Sequence, residues 1–167
     1  MCIRDREVDY VRYYRDKTAQ DIADEKEQAA KEEAAKKAAE EAVELFIEKG
    51  HRNIGIIGGP EGIFTAEERL TGYYTALEKA GISIKNSLVY RGDYTIKGGV
   101  RGLEELVRNN PDMTAVFVTN YEMTMGVMIG VNELGIQVPG QLSMIGFDNL
   151  PFARACRPKL TIVSQPT

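Results

Sequence analysis

An α/β fold built on a doubly wound parallel sheet is the class this sequence predicts, and three observations carry it. From Gly50 onward, short apolar runs alternate with amphipathic segments of helical length. The runs are continuously apolar rather than alternating, as expected of strands buried on both faces. The residues between runs suffice for helical crossovers, which parallel pairing requires.

In chain order, residues 1–17 read as a leader with a crossing strand. Met1 to Arg6 match nothing later in the chain and are not expected to be a native start, whereas Val8 to Tyr14 is rich in Val and Tyr, as strands are. Residues 18–49 shift to Ala, Glu and Lys. Ala30, Ala34, Ala38 and Ala42 recur four apart, a narrow apolar stripe on a helix. Glu32 with Lys36 and Glu33 with Lys37 have the favoured i,i+4 orientation, and Gly50 supplies a C-terminal stop. An unbroken helix of roughly 30 residues is about 45 Å long, so part of it is expected to stand clear or bend. A solvated helix without a partner and an interaction helix both remain open.

Residues 50–163 form the regular part. Strands are expected at Asn53 to Ile57, Ser87 to Tyr90, Ala115 to Thr119 and Leu142 to Phe147. Helices are expected at Ala66 to Ala80, Ile96 to Arg108 and Glu122 to Leu134. Thr65-Ala66-Glu67-Glu68 has capping-box form, and Gly81 and Gly135 end their helices. Residues 164–167 read as a crossover cut short.

The totals exclude several classes. With 21 Lys and Arg against 25 Asp and Glu, the net charge of −4 offers no footprint for nucleic acid. Cys2 and Cys156 have neither metal-ligand nor disulfide spacing, which fits a reducing compartment and a cytoplasmic protein. No apolar stretch approaches membrane-spanning length. No cofactor is expected.

In open parallel sheets, ligands bind beyond the carboxyl ends of the strands. The segments at those ends are Gly58-Gly59-Pro60, Gly92-Asp93-Tyr94, Asn120-Tyr121 and Asp148-Asn149. Carboxylate, amide and aromatic groups of this kind suit a sugar, whose hydroxyls take hydrogen bonds and whose apolar ring face takes an aromatic. Arg69 lies in the opening turns of a helix, where a cation opposes the macrodipole. It serves either a ligand or a surface ion pair with Glu67 or Glu68. Asp148 reads first as a capping or turn carboxylate, with a ligand role as the other reading; Asn120 also reads as an N-cap and Tyr94 as packing on the sheet edge.

Catalysis has no visible apparatus. Gly55-Ile56-Ile57-Gly58-Gly59-Pro60 lacks dinucleotide spacing, because Pro60, Glu61 and Gly62 form a loop before the helix begins. His51 has no nucleophile or carboxylate constellation nearby and reads as a hydrogen-bonded structural histidine.

Taken together, Gly50-His51-Arg52, the Ala66 to Gly72 helix opening with Arg69, Thr114 to Asn120, Val138-Pro139, Leu142 to Asn149 and Leu160 to Pro166 resemble the lactose/galactose repressor (LacI/GalR) family. The likeness covers about Gly50 to Pro166. It implies the C-terminal lobe of a periplasmic-binding-protein-like sensor, whose effector, a sugar or small metabolite, is held between two lobes. Arg69, Asn120 and Asp148 match the family's effector contacts, with Thr65 and Tyr94 as weaker candidates. Tyr121 stands where an Asp commonly follows the Asn, and the Ala/Glu/Lys helix is longer than the family's equivalent.

The resemblance implies a transcription regulator's effector-binding and dimerisation portion, with operator DNA read only through a helix-turn-helix headpiece that this chain lacks. A partial gene product is therefore expected. The alternative is a sugar-binding protein of an uptake system, monomeric and exported; an enzyme is the weakest reading. Met123 to Ile129 is apolar almost all round, and Phe152 to Cys156 no longer reads as core. Met125, Met128, Phe152 and Cys156 are the candidate homodimer surface, with burial inside the lobe as the other reading.

Overall fold

The computed structural model describes residues 18–147 and 161–163. The crossing strand expected at Val8 to Tyr14 and the crossover at 164–167 lie outside the described residues, as do Asp148, Asn149, Phe152 and Cys156. Two compact units divide the chain between Glu33 and Ala34. The boundary falls inside the long helix.

The first element is α1, Ala19–Glu48. Thr18 and Asp21 form a capping box at its start: the Asp21 carboxylate accepts from Thr18 N at 2.8 Å, and Thr18 Oγ1 accepts from Asp21 N at 3.2 Å. Within the first unit, Gln20 donates to Asp24 at 2.7 Å and Glu27 pairs with Lys31 at 2.7 Å. The expected Glu32–Lys36 and Glu33–Lys37 pairs give way to others: Glu32 accepts from Gln28, and Lys37 approaches Glu41. Both are exposed, so small rotamer preferences decide the partner.

From Ala34 onward the helix is core. Ala35, Ala39, Ala42, Val43 and Phe46 are buried, so the apolar face is rotated about one residue from the Ala30–Ala42 stripe. Val43 and Phe46 bury far more area than alanines, and they set the face. This half of α1 is therefore not a solvated helix.

The remaining elements are β1 (Ile54–Gly58), α2 (Phe64–Lys79), a short 3₁₀ turn at Asn86–Leu88, β2 (Val89–Arg91), α3 (Ile96–Asn109), β3 (Ala115–Val118), α4 (Tyr121–Glu133), β4 (Ser143–Phe147) and β5 (Thr161–Val163). All pairings are parallel, in the order β2-β1-β3-β4-β5, with Ile54 opposite Ala115 and Ala115 opposite Ser143. The doubly wound sheet expected from the sequence is observed. The second strand starts two residues later than expected because Asn86–Leu88 is taken up by the 3₁₀ turn.

Strand alternation sorts the core into two layers. Ile54, Ile56, Ala115, Phe117, Ile145 and Phe147 face α1 and α2, while Ile57, Val116, Val118 and Met144 face α3 and α4. Glycines let the helices meet backbone to backbone. A Cβ at Gly72 of α2 would lie 2.3 Å from the Lys36 carbonyl oxygen of α1, and one at Gly126 of α4 would lie 2.0 Å from the Ile96 carbonyl oxygen of α3. Neither clash is tolerable, so the crossings are built on the absence of a side chain. Tyr73, fully buried, donates its hydroxyl to Ile54 O at 2.8 Å, which satisfies the one polar atom it carries inward.

Candidate functional site

In this strand order the chain leaves β1 in one direction to reach β2 and returns on the other side for β3. The crevice between the carboxyl ends of β1 and β3 is the topological switch point. Thr119, fully buried just past β3, closes its floor by donating both N–H and Oγ1 to Ile57 O, at 3.1 and 3.2 Å. Gly92 N does the same for β2, donating to Gly58 O at 2.7 Å.

Arg69 reaches this point from α2. It is only 7% exposed, its Nη1 donates to Thr119 O at 2.6 Å, and its guanidinium carbon lies 3.8 Å from the centroid of the Phe147 ring. The surface ion pair considered for Arg69 is thereby excluded: the side chain is inside, laid across the carboxyl ends of β3 and β4. A buried guanidinium is costly unless charge, carbonyl oxygens or an aromatic face compensate it. Glu67, one of the expected surface partners, instead pairs with Arg91 at the end of β2 and accepts from Gly62 N at 3.1 Å. The Arg91 contact, and then the Gly62 N–H, hold its carboxyl below the ordinary range.

Thr65 is not the N-cap of α2. The helix begins at Phe64 with Ile63 as N-cap, and no side chain caps it. The cause is the loop: Ile63 N turns back to Pro60 O at 3.4 Å and Gly62 takes φ 78°, which starts the helix two residues early. Thr65 thus sits half-buried in the first turn, four residues before Arg69 and one helical turn away. Ile63 and Phe64 beside it are 45% and 51% exposed.

Asn120 is an N-cap. Its Oδ1 accepts from Met123 N at 3.0 Å at the start of α4, leaving the amide nitrogen outside that bond. Tyr94 has φ 62°, the left-handed region that non-glycine residues seldom adopt. A Cβ on Gly59 would fall 2.4 Å from Cε1, Cζ and Oη of its ring, so the ring edge lies directly against the chain leaving β1.

The structure thus gathers Arg69, Thr65, Asn120 and Tyr94 along one edge of the sheet. Asp148 comes directly after Phe147 in sequence and lies outside the described residues. Sequence reasoning missed Thr119, Phe147 and the Glu67–Arg91 pair. Thr119 was detectable as a hydroxyl ending an apolar run; the pair spans 24 positions and left no local signal.

Away from this edge, Met125 and Met128 are half-buried on α4, and Ile129 and Leu134 are 43% and 46% exposed. His51 is engaged as a structural residue: Nδ1 lies 2.8 Å from Thr114 Oγ1 and the ring meets Phe46 edge-on. Among the described residues no cluster of His, Cys, Asp and Glu suits a metal ion, and no helix is long and apolar enough to cross a membrane.

Residues 43–167 match the periplasmic binding protein-like domain family. The chain is 38% identical over 129 residues to the HTH-type transcriptional repressor CytR of Escherichia coli K12, an alignment covering 77% of this chain and 38% of that protein. A sugar-binding transcriptional regulator of the LacI family from Escherichia coli, complexed with phosphate, superposes with TM-score 0.73 at 34% identity, over 77% of this chain and 46% of that one. The transcriptional regulator CelR in complex with cellobiose gives TM-score 0.74 at 34% identity, over 80% of this chain and 41% of that one. The chain spans about two-fifths of the length of the curated relatives it matches. The chain belongs to the LacI/GalR family of transcription regulators and carries its periplasmic-binding-protein-like effector domain.

Proposed function

We propose that this domain senses a neutral, polyol-like effector, a sugar being the best fit, at the carboxyl edge of the sheet. Arg69 and Asp148 take paired hydroxyls, Asn120 and Thr65 add polar contacts, and Tyr94 covers the apolar face of the ring. The observation that carries this reading is the burial of Arg69 at the topological switch point. A guanidinium fixed there offers directional, charge-assisted donors at the point where open parallel sheets take their ligands. One relative in the family binds cellobiose. Catalysis is not part of this role.

The protein acts in the cytoplasm as a regulator. Operator DNA is contacted only through a helix-turn-helix headpiece, and none of the described residues has the basic clustering for that task. Two copies associate through Met125, Met128, Phe152 and Cys156. The exposure of Ile129 on α4 and of Leu134 at its C-cap supports an apolar meeting surface. Sedimentation checks this: a concentration-dependent dimer that Met125→Glu dissociates is expected, and a strict monomer refutes it.

The site is tested by titration calorimetry with a panel of neutral mono- and disaccharides, cellobiose included. Each charge-assisted hydrogen bond contributes about 1.5–3 kcal/mol, so Arg69→Ala and Asp148→Ala should each weaken binding about tenfold or more. Unchanged affinity in both variants would remove the site.

A further inference from the structure

Tyr94 is held in a backbone conformation that crowds a side chain's Cβ against the main chain, so some neighbouring contact must fix it there. The residue before it supplies that contact. Asp93 Oδ1 accepts from Thr95 N at 3.1 Å and from Thr95 Oγ1 at 2.6 Å, spanning Tyr94 on both sides, while Oδ2 accepts from Arg101 Nη2 at 2.8 Å one turn and more along α3. The Thr95 hydroxyl in turn caps α3 by accepting from Gly98 N at 2.9 Å.

Two glycines make the arrangement possible. A Cβ at Gly98 would lie 1.9 Å from Asp93 Oδ1, so the carboxylate occupies the space that a side chain on α3 would take. A Cβ at Gly59 would lie 2.4 Å from the Tyr94 ring. Neither glycine has a positive φ, so each is required for room and not for backbone freedom. Asp93 is exposed, and its bonds to the Thr95 hydroxyl and N–H, together with nearby Arg101, keep its carboxyl below the ordinary range.

We infer that Asp93 is a positioning residue for the effector site: with both carboxylate oxygens engaged by Thr95 and Arg101, it locks Tyr94 in the left-handed conformation that lays the ring edge on Gly59. Asp93 touches no effector; it determines where the aromatic group that does so is placed. This inference rests on the reading of Tyr94 as an effector contact, but the placement itself is measurable without any effector.

The experiment is NMR on the 167-residue chain, reading the Gly59 amide, whose chemical shift carries the ring current of Tyr94. Tyr94→Leu calibrates the signal by removing the ring. Asp93→Ala is expected to move the Gly59 resonance at least half as far in the same direction, and Asp93→Asn, which keeps an oxygen acceptor for Thr95, is expected to restore it. Gly98→Ala serves as a second variant, because its Cβ displaces the Asp93 carboxylate while alanine is the better helix former. It should shift Gly59 likewise. A Gly59 resonance unmoved by Gly98→Ala, or by a folded Asp93→Ala, overturns the inference even if sugars bind; a chain that binds no sugar leaves this result intact and defeats only the functional reading.

Discussion

The two edges of the sheet are built from the same repeating unit and obey opposite rules. At the amino edge, polar groups answer their neighbours. Asn110 alone donates to Ser87 O at 2.6 Å and Leu106 O at 3.0 Å while accepting from Ser87 Oγ at 2.7 Å, and Lys85 ties Asn53 to Asp112. At the carboxyl edge a guanidinium is buried, a tyrosine is held at φ 62° and a helix starts with no side-chain cap. One edge closes the fold. The other keeps unfavourable local choices, which fits the effector site proposed there.

The contrast is testable, and the largest effect belongs to the amino edge. Asn110→Ala removes three hydrogen bonds made by a buried side chain, so it should cost about 1–3 kcal/mol in denaturant unfolding. Effector affinity should be unchanged, because the residue sits at the far end of the strands. A smaller effect of opposite kind is expected from Asn120→Asp. Aspartate caps a helix as well as asparagine, so stability should hold within a few tenths of a kcal/mol, whereas the lost amide donor should weaken sugar binding about tenfold. Paired unfolding and calorimetry on that one variant separates the cap from the contact.

The smallest effect is pH dependence at the amino edge. Burial lowers the His51 pKa below its ordinary 6.5. The unfolded chain therefore binds a proton that the native one resists, and stability contributed by the neutral ring is present above about 6.5 and lost as pH falls through the folded value. His51→Gln should flatten that part of the stability profile. A profile identical to the parent between about pH 5 and 7 would show that the ring is not desolvated enough to matter.

Periodicity made the sheet legible, since strands buried on both faces and helices buried on one leave unmistakable patterns. It failed where identity within the pattern mattered. The alanine stripe left a solvated helix and an interaction helix both open, and its phase missed Val43 and Phe46, which define the buried face. In the candidate site, the strand-end rule put forward Asn120 and Tyr94, and the odd placement of a cation put forward Arg69. Local spacing misassigned Thr65, because the turn at Pro60 to Gly62 decides where α2 begins. Nothing in the sequence links Gly59 to Tyr94, or Glu67 to Arg91; those contacts exist only once β1 and β2 lie side by side.

The glycine crossing between α3 and α4 has a mechanical consequence. Side chains that interlock between helices absorb displacement by changing rotamer, but a contact of backbone on backbone has no such slack. Gly99 and Gly126 meet within the opening turns of their helices, immediately behind Thr95 and Asn120, with a Cβ at Gly99 only 2.3 Å from the Met123 carbonyl oxygen. The two helices are geared together at their carboxyl-edge ends. Room for a shift of either helix at this crossing must therefore come from the backbone of the other, not from a side-chain rotation.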